Sequence, residues 1–292
     1  MQTLAQTLEH GWNLHGVAVG DALQTFDNRQ VRRFDAAEGS FVCKTIGGAA
    51  ADDAFARQTA IYGWLEARGF RHAPRLLRTR DGENFLRQGD AAVLVMERVS
   101  GAKPEGTPDC FRRLGMALAT LNGFTDYPEP APITVDAIRP HFAGIAEGLP
   151  AAIRKPYLAA AGSLPDIDAL PKSLIHFEAS LKNAVRKPDG GLVLVDWDEA
   201  GIGATVLDPG FHLISQFVSE SRAFDAASAR AFYGAYLAAR PLTDAEKGML
   251  FDASLFHALR YVVWGDPERR WARIRWAMEH RAFLEHAAFG TS

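Results

Sequence analysis

The chain has 292 residues, of which 48% are hydrophobic and 23% charged, a composition typical of a folded globular protein with one or two domains. Its formal net charge of −3 at pH 7 argues against a dedicated nucleic-acid-binding protein, whose surface would be strongly basic. The only cysteines, Cys43 and Cys110, lie in unrelated segments, so neither a disulfide framework nor a zinc site is indicated. Because no apolar stretch is long enough to span a membrane and no secretion signal begins the chain, we expect a cytoplasmic protein without membrane contact.

Residues 1–99 are predicted to form a domain rich in β-strands. Short apolar runs predict strands at residues 30–34, 40–46, 74–79, 83–88 and 91–99. A helix is predicted over residues 52–68. The Asp81-Gly82 pair is typical of a hairpin turn.

Residues 100–292 are predicted to be mainly helical. Within residues 109–122, apolar side chains recur at intervals of three and four, as in an amphipathic helix. The exception is a hairpin over residues 184–196. We therefore expect a second, larger domain over residues 100–292.

The hairpin brings polar residues to its two ends. Asp189 and Gly190 lie between two apolar runs and are predicted to form a two-residue turn. Pairing outward from such a turn places Asn183 opposite Asp196. Cross-strand partners have Cβ atoms roughly 5 Å apart, close enough for an amide oxygen and a carboxylate to bind one hard cation. The sequence therefore predicts a magnesium site at Asn183 and Asp196.

The same segment carries a family resemblance. His176, Glu178 and Asn183 have the spacing of the kinase catalytic loop H-x-D-x-x-x-x-N, and Asp196 matches the metal-binding acid that follows it. With Asp208, the segment resembles the aminoglycoside phosphotransferase and choline kinase family. The resemblance implies a protein-kinase-like α+β fold with a small sheet-rich N-lobe, a larger helical C-lobe, and ATP and magnesium between them.

The resemblance also implies roles for these residues. Glu178 would accept the proton of the substrate hydroxyl, while Asn183 and Asp196 would bind magnesium on the ATP phosphates. His176 and Asp208 would be structural, with Asp208 bracing the catalytic loop from below.

Nucleotide contacts are expected from residues 1–99. Lys44 lies on a predicted strand among apolar neighbours, where a charge is costly unless it meets an anion, and the family has its phosphate-anchoring lysine on such a strand. Gln58 stands where the family has a helix glutamate that pairs with this lysine. The adenine is expected at the backbone from Glu97 to Val99, by position along the chain.

Three departures from the family pattern leave two functions open. The loop expected over the phosphates, residues 24–30, contains no glycine; Gln58 cannot neutralise Lys44; and Glu178 replaces the usual aspartate. A displacement of about 1 Å from the extra methylene can cost roughly a hundredfold in rate. The first function is an ATP- and magnesium-dependent phosphotransferase acting on a small-molecule hydroxyl. The alternative is a catalytically impaired, pseudokinase-like regulatory protein that binds nucleotides.

The acceptor is not defined by the sequence. Four arginines near the C-terminus are typical of the solvated face of a helix, or alternatively attract an anionic substrate. They are Arg269, Arg270, Arg273 and Arg275. A cationic acceptor would instead need clustered acids, which are scattered in this segment. The sequence gives no oligomeric state.

Overall fold

The computed structural model describes residues 2–128 and 131–290, which form two compact units. The first contains the chain up to Ala102 together with Val185–Asp198. The second contains Lys103–Ala184 together with the chain from Glu199 onward. Along the described chain, no helix is both long and apolar enough to cross a membrane.

Strands and helices occur mostly in separate runs along the chain, the order typical of an α+β fold. The strands are β1 (Ala18–Phe26), β2 (Arg29–Ala36), β3 (Gly39–Gly47), β4 (Leu86–Gln88), β5 (Ala91–Glu97), β6 (Lys172–Ile175), β7 (Ala184–Arg186), β8 (Leu192–Leu194) and β9 (Gly201–Ala204). The helices are α1 (Leu4–Trp12), α2 (Ala51–Ala67), α3 (Pro108–Leu121), α4 (Val135–Ile138), α5 (His141–Glu147), α6 (Ala151–Gly162), α7 (Leu207–Ser215), α8 (Ala226–Ala239), α9 (Asp244–Gly248), α10 (Leu250–Arg260), α11 (Pro267–Glu279) and α12 (Arg281–Phe289).

The first unit is built on an antiparallel sheet with the strand order β1-β2-β3-β5-β4. Side chains alternate between its two faces. On one face, Trp12 of α1 packs in a cluster with Cys43 of β3. On the other, Phe55 of α2 packs with Ile46 and Leu94. Cys43 and Lys44 are consecutive on β3, so Cys43 faces the α1 side of the sheet and Lys44 faces the α2 side.

Two predictions about this sheet differ from the structure. Residues 74–79 form no strand, and only Leu76 makes an isolated bridge, to Met96. Strand β1 was not predicted, because most of its side chains are exposed and it lacks an alternating apolar pattern. Its pairing with β2 holds it in the sheet. The predicted helices at 52–68 and 109–122 are confirmed as α2 and α3.

The second unit is mainly helical, with α3 packed against α8 and α7 against α10. Gly115 of α3 permits close helix packing, since a Cβ there would overlap the carbonyl oxygen of Phe232 in α8. Strands β6 and β9 pair antiparallel, with Leu174 opposite Ile202. This pairing holds the strand that leads into residues 176–183.

The buried histidine of α7 predicts acid sensitivity of the fold. His212 is fully buried 4.1 Å from the ring of Phe232, and neither ring nitrogen has a hydrogen-bond partner within the described chain. Burial lowers the pKa of His212 to about 3. The unfolded chain therefore binds a proton below pH 6.5 that the folded chain excludes, and stability falls by about 1.4 kcal/mol per pH unit as pH decreases from about 6.5 towards 3.

We expect His212→Phe to remove this contribution. Urea unfolding at pH 7 and pH 5 should show a smaller loss of unfolding free energy for the variant than for the wild type, by about 2 kcal/mol. The exposed His141, replaced by glutamine, is the control and should behave as wild type. Equal pH dependence in His212→Phe and wild type would contradict the assignment.

Candidate active site

The hairpin between β7 and β8 differs from the sequence prediction by one residue. The Lys187 N–H donates to the Gly191 carbonyl at 2.8 Å, which leaves Pro188, Asp189 and Gly190 in the turn. Asp189 accepts from the Gly191 N–H at 2.8 Å, and Gly190 has φ +83°, a conformation that glycine adopts without strain. The predicted two-residue turn is therefore wrong.

With three residues in the turn, the hairpin does not place Asn183 opposite Asp196, as the sequence had predicted. Asn183 ends a short 3-10 turn before β7 and belongs to the second unit, while Asp196 follows β8 in the first. Asn183 and Asp196 stay predicted ligands by their motif positions and by the chemistry of their side chains.

The loop from His176 to Glu178 is fixed by a buried acid below it. Asp208 accepts from the backbone N–H groups of His176 at 3.0 Å and Phe177 at 2.7 Å, and from the Asn122 amide at 2.8 Å. Burial raises the pKa of Asp208 to about 6 although these three donors act in the opposite direction. The predicted bracing role of Asp208 is confirmed.

Removing this carboxylate should destabilise the second unit. We expect Asp208→Ala to lower the unfolding free energy by on the order of 3 kcal/mol, since two backbone donors and one amide lose their acceptor in a buried place. The check is the urea midpoint at pH 7. The exposed Asp81, replaced by alanine, is the matched control, and its unfolding free energy should change by less than about 0.5 kcal/mol. A similar small shift for Asp208→Ala would show that the loop does not depend on it.

Phe177 gives this loop a second anchor. It has φ +72°, which side-chain-bearing residues rarely adopt, and its ring is almost fully buried. The Arg260 guanidinium lies 4.5 Å from the centroid of the ring and also binds Glu199 at 2.8 Å. The backbone of residues 176–178 is therefore held from both the Asp208 side and the Arg260 side.

Two side chains hold Glu178 in place, one through its carboxylate and the other through its backbone. The Tyr261 hydroxyl, just after α10, donates to Oε1 of Glu178. Nδ2 of Asn183 donates to the backbone carbonyl of Glu178 at 3.1 Å. With its nitrogen used in this way, the amide of Asn183 has its oxygen left as the group suited to a cation.

In the first unit, Lys44 is paired with an acid that the sequence did not identify. Lys44 is only 4% exposed, and its ammonium donates to Oδ1 of Asp198. Gln58 of α2 is also buried and donates to the same oxygen at 2.8 Å. Helix α2 therefore supplies an amide to the carboxylate, and Asp198 supplies the negative charge that a helix glutamate would otherwise give.

Asp196 lies close to the same lysine. Its Oδ1 is 3.9 Å from Nζ of Lys44, and its backbone has φ +65°. The structure shows no group of three or more His, Cys, Asp or Glu side chains arranged for a metal anywhere in its described ranges. The carboxylate of Asp196 fits magnesium, which binds through one or two carboxylates and completes its shell with water and substrate phosphates.

The residues expected at the adenine line a separate cavity. Glu97 and Val99 are part of the wall of a cavity of about 710 Å³, together with Tyr62 and Arg98. Lys44 is not among its described lining residues. Arg75 lies 3.8 Å from the carboxylate of Glu97. The predicted adenine contact at Glu97 and Val99 stays a prediction.

The structure thus places the predicted residues in two groups. Lys44, Gln58 and Asp196 lie together in the first unit, and Glu178 and Asn183 lie together in the second. Sequence reasoning missed Tyr261, whose contact with Glu178 joins distant parts of the chain and has no local signal. Asp198 did have a signal, because it is the second acid of an Asp-Trp-Asp triplet.

Comparison with protein families shows a match over most of the chain. The phosphotransferase enzyme family, APH, matches residues 22–242. This range contains the predicted site residues of both units, and it also contains Asp208. Comparison with curated proteins gave no match.

Solved structures show the same architecture. An aminoglycoside phosphotransferase from Alicyclobacillus acidocaldarius is 17% identical with a TM-score of 0.67, over 98% of this chain and 96% of that chain. Amicoumacin kinase hAmiN, in complex with AMP-PNP, Ca2+ and Ami, is 12% identical with a TM-score of 0.70, over 94% and 92%. A choline kinase from Cryptosporidium parvum is 10% identical with a TM-score of 0.65, over 94% and 91%. The predicted protein-kinase-like α+β fold is confirmed.

Proposed function

Because the chain belongs to the phosphotransferase enzyme family, we propose that it transfers the γ-phosphoryl group of ATP to a hydroxyl group of a small molecule. The observation that carries the proposal is the buried ammonium of Lys44 beside Asp196 and Asp198. Asp198 offsets the cost of burying this charge, and phosphates are the further anions that this family binds at such a lysine. Residues 1–99, which lie within the first unit, would form the nucleotide-binding domain, and residues 100–292 the catalytic and substrate domain.

The proposed reaction uses Glu178 as the base. The acceptor oxygen attacks the γ-phosphorus, the bond from that phosphorus to the β,γ-bridging oxygen breaks, ADP leaves, and the hydroxyl proton passes to the carboxylate of Glu178. Lys44 stabilises charge on the phosphates. Magnesium, when bound through Asn183 and Asp196, would neutralise phosphate charge.

The contact between Tyr261 and Glu178 favours turnover over a purely regulatory role. A glutamate has one more rotatable bond than an aspartate, so its carboxylate is harder to hold in one place. The Tyr261 hydroxyl restrains that carboxylate directly. The protein catalyses phosphoryl transfer mainly by positioning the reactants and stabilising charge. A restrained glutamate can therefore act as the base where the family has aspartate.

The experiment is an ADP-release assay with ATP and magnesium across amino-alcohols, amino sugars, sugars and hydroxy amino acids. We expect at least one acceptor class to raise ADP release above the rate without acceptor, with a phosphate ester detected by phosphorus NMR. Lys44→Met is the inactive control. A protein that binds ATP and magnesium yet phosphorylates no acceptor would support the alternative, a nucleotide-binding regulatory protein.

A further inference from the structure

The turn between β1 and β2 presents an arginine on the same sheet face as Lys44. Arg29 begins β2 opposite Ile46, and Val31, two residues on, is opposite Lys44. Residues two apart on a strand share a face, and cross-strand partners share it too, so Arg29 and Lys44 are diagonal neighbours. The segment of residues 24–30, predicted to be a loop without glycine, is instead mostly strand, and only residues 27–28 form the turn.

Both cations contact a single carboxylate. Nη1 of Arg29 lies 2.9 Å from Oδ2 of Asp198, while Lys44 and Gln58 bind Oδ1. The guanidinium and the ammonium are therefore held apart by the width of one carboxylate. Two cations that bind different oxygens of one phosphate group need a similar separation.

Arg29 is also able to meet a ligand from solvent. Its side chain is 45% exposed, whereas that of Lys44 is 5% exposed. A guanidinium has five N–H donors, and the contact with Asp198 uses one nitrogen. The remaining donors can bind phosphate oxygens in the bidentate manner typical of arginine while Asp198 keeps its place.

We propose that Arg29 binds the nucleotide phosphates together with Lys44, and that Asp198 positions both cations. This inference rests on the proposed function and names a residue for the same site. A turn without glycine can then still bind phosphates, because the guanidinium of Arg29 supplies the hydrogen-bond donors that backbone N–H groups supply in glycine-rich loops.

The test measures dissociation constants by calorimetry, with excess magnesium, for ATP, ADP and adenosine. Arg29→Gln should weaken ATP binding by about 10- to 100-fold, the usual effect of losing charge-assisted hydrogen bonds, and should leave adenosine binding unchanged. The ATP affinity of Arg29→Lys should lie between those of the wild type and Arg29→Gln, because lysine keeps the charge but cannot donate two parallel hydrogen bonds. Arg32→Gln is the matched control, since Arg32 is on the same strand but on the opposite face, where it binds Gln30.

The outcomes separate this inference from the function on which it rests. If the wild type binds ATP and Arg29→Gln binds it as tightly as Arg32→Gln does, Arg29 is not a phosphate ligand and the proposed function stands. An equal loss of ATP and adenosine affinity would mean damage to the sheet and would also overturn the inference. A wild type that binds no nucleotide would overturn both.

Discussion

Glu178→Gln lowers turnover by about 10²- to 10⁴-fold and leaves ATP affinity almost unchanged, if Glu178 is the base. Glutamine has the same length and can still accept the hydroxyl hydrogen of Tyr261, but it cannot take up the proton of the acceptor. Steady-state rates at saturating ATP, with the dissociation constant for ATP measured separately, check both halves of the prediction. The exposed Glu220, replaced by glutamine, controls for loss of a surface charge.

The shorter acid separates an active enzyme from an impaired one. In an enzyme adapted to glutamate, Glu178→Asp withdraws the carboxylate from Tyr261 and from the acceptor, so turnover should fall. In a protein that lost activity through the glutamate, aspartate should restore transfer. An inactive wild type with an active Glu178→Asp variant would rule out the phosphotransferase and leave the regulatory protein.

Asp196→Asn is expected to weaken magnesium-dependent nucleotide binding by on the order of 100-fold or more, because the cation loses its anionic ligand. The melting temperature of the nucleotide-free protein should stay nearly unchanged, since asparagine, like aspartate, tolerates a left-handed backbone. Calorimetric titration of ATP with magnesium and with a chelator measures the first effect, and thermal unfolding without nucleotide measures the second.

Two results would contradict this reading of Asp196. A loss of several degrees in the melting temperature would make Asp196 a structural residue. An unchanged ratio of ATP affinities with and without magnesium would mean that the metal is bound elsewhere.

The sequence predicted those parts of the molecule that depend on local patterns. Apolar spacing is enough for α2 and α3, and an Asp-Gly pair is enough to predict a hairpin between β7 and β8. Spaced motifs predicted roles for Glu178, Asn183 and Asp196, and a strand position among apolar neighbours predicted one for Lys44. The edge strand β1 was not predicted because its exposed side chains show no alternation of apolar and polar residues. Its pairing with β2 holds it in the sheet.

The contacts of the candidate site were less predictable because they join distant residues. Asp198 lies beside Lys44 where the family pattern has a helix glutamate and this chain has Gln58, and Tyr261 restrains Glu178 across 83 positions of the chain. The turn at Pro188 shows a different difficulty: an Asp-Gly pair fits turns of two or three residues, and each extra residue changes which side chains face each other.

The left-handed backbones at Phe177 and Asp196 differ in what they cost. A bulky residue such as Phe177 costs roughly 1–2 kcal/mol in that conformation, an aspartate costs less, and glycine adopts it freely. At position 196, glycine would therefore change the stability of the fold little and would remove the proposed metal ligand. Laboratory selection for heat resistance alone should tolerate Asp196→Gly, while selection for phosphoryl transfer should retain the aspartate.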